Sequence, residues 1–250
     1  MELRKLGKTG LNVSRIGLGT VKFGRNQSVK YPEAFELPTE KKIHSLLALC
    51  QELGINLLDT APAYGTSEER LGKAIKGARD QWIICSKAGE EFDGKQSYFD
   101  FSSQAIIKSV ERSLTRLKTD YLDCLLIHSD GQDEKIILKD QALQTLDQLK
   151  KEGKIRATGM STKTVSGGLL ALQHADVVMA TYHAGYLDEK IILDEAAHLE
   201  KGILIKKALQ SGHLVSNTQQ QLKFILEHPA VSSIIVGTLN ETHLRNNCLA

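Results

Sequence analysis

The chain has 250 residues, 41% hydrophobic and 25% charged, the composition of a globular protein long enough to bury a large core. Its net charge is +2 with both signs interleaved, so no basic block points to nucleic acid and no apolar run approaches a membrane span. The cysteines, Cys50, Cys85, Cys124 and Cys248, show no CxxC spacing and no metal-ligand pattern; two sit in apolar runs, as reduced core thiols do.

The opening "MELRKLGKTGLNVSRIGLGT" lacks the long apolar segment and cleavage site of a signal peptide. With that cysteine usage, the expected setting is the reducing cytoplasm. Two short apolar stretches around "GKTG" predict a β-hairpin ahead of the main domain. Eight punctuated apolar runs follow: "SRIGLGT" (14–20), "INLLDT" (55–60), "WIICSK" (82–87), "YLDCLLIH" (121–128), "IRATGMS" (155–161), "DVVMATYH" (176–183), "GILIKK" (202–207) and "SSIIVGT" (232–238). Nearly continuous apolar runs are what strands covered on both faces require.

Helical patterns separate them. "PTEKKIHSLLALCQELG" (38–54) opens on a Thr39 cap, carries Ile43, Leu46, Leu47, Leu49 and Cys50 at helical spacing, and closes at Gly54. "SEERLGKAIKGA", "SSQAIIKSVERSLTRLKT", "KDQALQTLDQLKKEG", "TVSGGLLALQHA", "LDEAAHLEKG", "NTQQQLKFILEH" and "NETHLRNNCLA" complete the alternation. Eight strand–helix units at this length predict a single-domain (β/α)8 TIM barrel over 1–250, with the N-terminal hairpin closing its bottom. A doubly wound open sheet is the alternative, but "GLGTVKFG" is not a GxGxxG loop leading into a helix. Two long loops, 22–38 and 88–101, follow the first and third runs.

Polar groups stand where strands end. Asp59 closes the second run, Lys87 the third and His128 the fourth, and Tyr64 follows Asp59 by five residues. In a barrel these positions share the C-terminal rim. Counting back in twos, Asp59 shares a face with Leu57 and Ile55, Lys87 with Cys85 and Ile83, and His128 with Leu126 and Cys124, so all three point inward together. Taken singly, each has an ordinary structural role as cap, solvated cation or packing group. As a set they suggest general acid catalysis at a developing alkoxide. Lys87 would lower the Tyr64 pKa, Asp59 would make a buried Lys87 tolerable, and His128 would hold a substrate oxygen. Asp130 and Asp133 read as loop caps.

"DTAPAYGTSEERLG", "CSKAG", "LLIHS", "KIRATGMS" and "IIVGT…HLRNN" closely resemble the aldo-keto reductase family, over nearly the whole chain. That resemblance implies a nicotinamide-dependent oxidoreductase that reduces aldehydes or ketones to alcohols, or the reverse. The catalytic residues would be Asp59, Tyr64, Lys87 and His128, with Tyr64 the proton donor. NADP(H) is the favoured cofactor and NAD(H) the alternative. The implied partner is a small molecule, with no nucleic acid or membrane, and the implied state is a monomer.

Carried over residue by residue, the cofactor positions are Gly19, Thr20, Ser161, Thr162, Met179, Lys207, Gly237, Thr238, Asn240, His243, Arg245 and Asn247. The chain departs from the family here. Thr162 stands where Asn is usual and Met179 where Gln is usual, and the aromatic ring platform falls at Ala208, beside Lys207. Gly237 and His243 replace the Lys and Arg of many relatives at the adenosine 2′-phosphate, leaving Thr238, Asn240 and Arg245 to bind it. The segment "ALQSGHLVSNTQQQ" is short and the chain ends soon after its last helix, which suggests an open, fast-exchanging cofactor site. Substrate choice would then rest on Phe23, Arg25, Lys30, Tyr31, Phe35, Phe92, Tyr98, Phe99 and Phe101 of the two long loops. Two other readings remain: a cofactor-binding sensor or regulatory subunit with little turnover, and a non-redox barrel using Lys87 as a Schiff-base nucleophile.

Overall fold

The eight apolar runs form one closed parallel barrel in the computed structural model, which describes residues 1–29, 31, 34–210 and 217–250. The barrel strands, in spatial order, are β3 (Ile16–Gly19), β4 (Leu57–Asp59), β5 (Ile83–Ala88), β8 (Leu122–His128), β9 (Ile155–Ser161), β10 (Val177–Thr181), β11 (Gly202–Lys206) and β12 (Val231–Val236). β12 pairs with β3, Ile234 opposite Ile16, and closes the ring. Before it, β1 (Leu3–Lys5) and β2 (Asn12–Ser14) form the expected antiparallel hairpin. Leu6 and Val13 from this hairpin are fully buried in the same cluster as the inward-facing strand residues Leu57, Cys85, Cys124, Leu126, Ala157, Val177, Met179 and Leu204. The hairpin therefore plugs the barrel floor.

The outer core lies between strands and helices. α2 (Glu40–Glu52) buries Ile43, Leu46, Leu47, Leu49 and Cys50, and its N-cap Thr39 accepts from the Lys42 backbone N–H at 3.2 Å. α3 (Ser67–Ala74), α4 (Ser103–Leu117), α6 (Ala142–Lys151), α7 (Val165–His174), α8 (Lys190–Leu199), α9 (Thr218–Leu226) and α10 (Glu241–Asn247) follow the sequence expectation. Side chains of Ser102, Thr164 and Asn240 cap α4, α7 and α10.

The long loops hold structure that the patterns do not announce. α1 (Val21–Gly24) starts the first. The second is a hairpin of β6 (Glu90–Phe92) and β7 (Ser97–Phe99), whose turn is set by Gly94 at φ +99° and by Asp93 Oδ1, which accepts from the N–H groups of Lys95 and Gln96 at 2.8 Å each. α5 (Asp133–Leu138) lies between β8 and α6. Asp133 is buried and accepts from the N–H groups of Lys163 and Thr164 at 2.8 Å, so it ties the start of α7, consistent with a cap.

Candidate active site

The inward rows of β4, β5 and β8 end in Asp59, Lys87 and His128, as the alternation requires. Lys87 is 2% exposed; its Nζ donates to Asp59 Oδ1 at 2.5 Å and to the Thr60 carbonyl at 2.9 Å. Tyr64 is carried on a 3-10 turn, Pro62–Tyr64, directly after β4. Its hydroxyl lies 3.4 Å from Asp59 Oδ2, and the Lys87 ammonium lies 4.8 Å from its ring centroid. The Tyr64 and His128 rings meet edge to face, centroids 6.3 Å apart. The four residues thus form one cluster at the barrel mouth.

Two glycines make the Tyr64 turn possible. A Cβ on Gly24 would lie 2.1 Å from Ser67 N and 2.5 Å from the Tyr64 carbonyl oxygen. Gly65 has φ +62°, and a Cβ there would meet the Gly24 carbonyl oxygen at 2.3 Å. Both chains approach too closely for any side chain.

The electrostatics correct one expectation. Burial pushes the Tyr64 phenol above its ordinary pKa; Lys87 pulls it down, and Asp59 adds to the rise. The net direction is upward because the desolvation of the buried phenol outweighs the pull of the lysine that the sequence reading relied on. For Lys87, burial favours the neutral amine, but Asp59 and Tyr64 outweigh it and hold the ammonium. A Schiff-base nucleophile needs the free amine, so this setting opposes the non-redox reading.

His128 Nδ1 is buried 2.9 Å from Glu90 Oε2, within ion-pair distance but outside hydrogen-bond angles. Burial lowers the His128 pKa; Glu90 opposes this, and Lys87 and Lys206 reinforce it. Glu90 is driven down to about 2: burial resists, but His128, Ser97 and Arg25 prevail.

The cluster opens into a cleft of about 940 Å³ that runs from Asp59, Tyr64, Lys87 and His128 to α10. Of the expected cofactor residues, Gly19, Ser161, Met179, Lys207, Gly237, Thr238, His243 and Asn247 line it, and Ala208 lines it too. The others are placed differently. Thr20 is buried and donates to the Asp59 carbonyl at 3.0 Å. Thr162 is buried, with its carbonyl taken by Lys206. Asn240 accepts from the His243 N–H at 3.1 Å as the cap of α10. Arg245 pairs with Glu52 at 2.8 and 3.1 Å on the exposed side.

The loop residues mostly pack. Phe23 is fully buried and Phe101 is 8% exposed. Arg25 lies 3.8 Å from the Phe92 ring centroid and donates to the Ala63 carbonyl at 2.9 Å, so it is a clamp rather than a free substrate cation. Phe99 stacks on Phe101, and Tyr98 is exposed. Phe35 packs edge to face on Tyr31, and Lys30 lies outside the described residues, as do 211–216 of the short segment before α9. Tyr31 does reach the cleft: Lys22 Nζ sits 4.1 Å from its ring centroid, and a Cβ on Gly237 would lie 2.7 Å from its hydroxyl.

Sequence reasoning missed Lys206, Glu90, Lys22 and Asn246. Lys206 ends β11 and lines the cleft; its Nζ donates to Ser161 Oγ at 2.9 Å and to the Thr162 carbonyl. It takes the strand-end position that the sequence reading assigned one or two residues later. Leu204 faces the barrel interior, so the same counting in twos that places Lys87 places Lys206. Burial drops the Lys206 pKa to about 7, with Glu189 resisting.

The Aldo/keto reductase family model matches residues 15–198. YqkF, an uncharacterized oxidoreductase of Bacillus subtilis, is 31% identical over 295 aligned positions, covering 100% of this chain and 91% of that protein. The NADH-specific methylglyoxal reductase of Escherichia coli is 32% identical over 192 positions, covering 71% of this chain and 57% of that protein. Among solved structures, a Pseudomonas aeruginosa protein assigned to the aldo-keto reductases superposes with a TM-score of 0.91 at 50% identity, covering 99% of this chain and 93% of that one.

Proposed function

The chain belongs to the aldo/keto reductase family of NAD(P)H-dependent oxidoreductases, and from that membership we propose that Tyr64 is the proton donor in carbonyl reduction. The observation that carries this reading is the convergence of Tyr64, Lys87 and His128 on one cleft, with Asp59 holding Lys87 as an ammonium. A nicotinamide dinucleotide fits that cleft. Gly19 and Gly237 line it, Ser161 offers a hydroxyl, Lys206 offers an N–H donor, and Lys22 and Lys207 bring positive charge to it.

The cofactor, when bound, supplies the hydride to the carbonyl carbon. Tyr64 gives its phenolic proton to the carbonyl oxygen, and the resulting phenolate is held by the Lys87 ammonium. Asp59 keeps that ammonium in place. His128 meets the substrate oxygen and fixes its approach. In the oxidative direction Tyr64 takes the proton back.

The family resemblance favours NADP(H). Arg245 is committed to Glu52 and the Asn240 side chain to its helix, while His243 of α10 lines the cleft. We therefore read the 2′-phosphate as adding little, and NAD(H) as binding within about tenfold of NADP(H). The E. coli relative is NADH-specific. We also read residues 1–250 as one catalytic domain, working as a cytoplasmic monomer on a small carbonyl compound or alcohol.

Tyr64→Phe tests the mechanism. With methylglyoxal or 4-nitrobenzaldehyde as probe, turnover should fall about 10²–10⁴-fold, the share of a general acid, while cofactor affinity by calorimetry stays unchanged. Retained turnover overturns the assignment.

A further inference from the structure

We propose that Glu90 is a positioning residue for His128: its carboxylate, in ion-pair contact with Nδ1 rather than in a formed hydrogen bond, favours the ring proton on Nδ1 and leaves Nε2 to meet the substrate oxygen. This rests on the role given to His128 above. The geometry carries it. Glu90 opens β6, and its Oε2 lies 2.9 Å from the buried Nδ1, while His128 itself lines the cleft. The free ring nitrogen on the cleft side is therefore Nε2.

Glu90 is itself held. Its Oε1 lies 3.9 Å from Arg25 Nη1, and its side chain is 15% exposed. That same Arg25 nitrogen donates to the Ala63 carbonyl at 2.9 Å and to Ser97 Oγ at 3.2 Å. Ala63 is the neighbour of Tyr64 in the 3-10 turn. One guanidinium thus joins the carboxylate behind His128 to the turn that carries Tyr64, and the β6–β7 hairpin supplies both Glu90 and Ser97. Two carboxylate contacts and a buried arginine are a costly arrangement for a loop that needs only to be closed.

The charged and titratable groups facing His128 come from several elements: Lys87 on β5, Lys206 on β11, Tyr64 on its turn and Glu90 on β6. Asp59 offsets Lys87, and Arg25 stands behind Glu90. Both lysines disfavour an imidazolium. Among the described residues Glu90 is the carboxylate in ion-pair contact with the ring. With Glu90 ionised, the neutral ring keeps its proton on Nδ1, so Nε2 carries one only in the imidazolium. His128 then donates to a carbonyl oxygen when charged and accepts from an alcohol when neutral. Reduction runs on the first form and oxidation on the second.

Nitrogen-15 NMR of the histidine-labelled full chain reads this without turnover. In the wild type, the neutral His128 ring should show the proton on Nδ1. Glu90→Gln should lower the His128 proton affinity about tenfold, one pH unit, and Glu90→Asp should restore at least part of it. The pH limb of kcat/KM for reduction should move to lower pH by the same step. A neutral wild-type ring protonated on Nε2, or an unchanged titration in folded Glu90→Gln, overturns the proposal. The wild-type tautomer needs no variant, so the first outcome is read even if Glu90→Gln fails to fold. Turnover retained in Tyr64→Phe would instead remove the catalytic reading and leave the Glu90–His128 coupling standing.

Discussion

Lys206 Nζ, at the end of β11, donates to Ser161 Oγ, at the end of β9, at 2.9 Å, and so reaches past the intervening β10. The ammonium meets two neutral oxygens, those of Ser161 and Thr162, in the mouth of the barrel. Its charged form is the disfavoured one: burial takes the pKa from 10.5 to about 7. Between those values the unfolded chain holds a proton that the native chain has released, so stability from this group rises as pH climbs from 7 towards 10.5. Below pH 7 both states are protonated and the full burial cost remains. Lys206→Met removes this cost. Its thermal stability relative to wild type should be highest near pH 6.5 and should decline steadily by pH 9.5. A pH-independent difference between the two proteins would show that the ammonium is not desolvated.

Lys87 and Asp59 form the tightest buried pair of the site, with side chains 2% and 5% exposed. Removing one partner strands the other. Lys87→Met should cost about 3–5 kcal/mol of stability, because the Asp59 carboxylate then lacks its cation. Asp59→Asn in the same chain should recover much of that loss, since the pair as a whole contributes little net stability. Denaturant unfolding of the two single variants and the double variant gives the coupling. Additive losses would mean that Asp59 finds another partner.

Gly24→Ala should disable the site from a distance. The new Cβ would overlap the backbone at Ser67 and Tyr64, and neither atom is the end of a flexible side chain. The 3-10 turn must move, and Tyr64 moves with it. Turnover should fall about 10²-fold, since a shift on the order of 1 Å at a reacting group has that effect. Cofactor affinity should change far less. An active Gly24→Ala enzyme would mean that the turn is more plastic than its packing implies.

The sequence makes the frame and the centre of the site legible because both depend on short-range periodicity. Each apolar run became a strand of the barrel, and alternation from Leu57, Cys85 and Leu126 placed Asp59, Lys87 and His128 on its inner row. The same alternation from Leu204 reaches Lys206, but "KK" offers two lysines and the resemblance drew attention to the next two residues. Glu90 could not be found this way. It acts through a hairpin whose sequence signal is an Asp93–Gly94 turn between mixed residues, and its partner lies on another strand. Arg25 misled for a related reason. A cation in a long loop suggests a ligand, whereas its backbone and ring contacts are fixed by tertiary packing.

Cofactor choice turns on which cation faces the cleft near α10. Arg245 lies outside it, exposed and bidentate to Glu52, so Arg245→Ala should leave the NADPH dissociation constant unchanged within about twofold. His243 lines the cleft and is the place to add charge. His243→Arg should tighten NADPH about tenfold and leave NADH alone, the effect of one charge-assisted contact to the 2′-phosphate. The titrations should use calorimetry or the fluorescence of the reduced cofactor. Trp82 immediately precedes β5 and so lies at the opposite end of that strand from the cleft, where it has little reason to respond. Loss of NADPH binding in Arg245→Ala would mean that the Glu52 pair opens on binding and that Arg245 holds the phosphate after all.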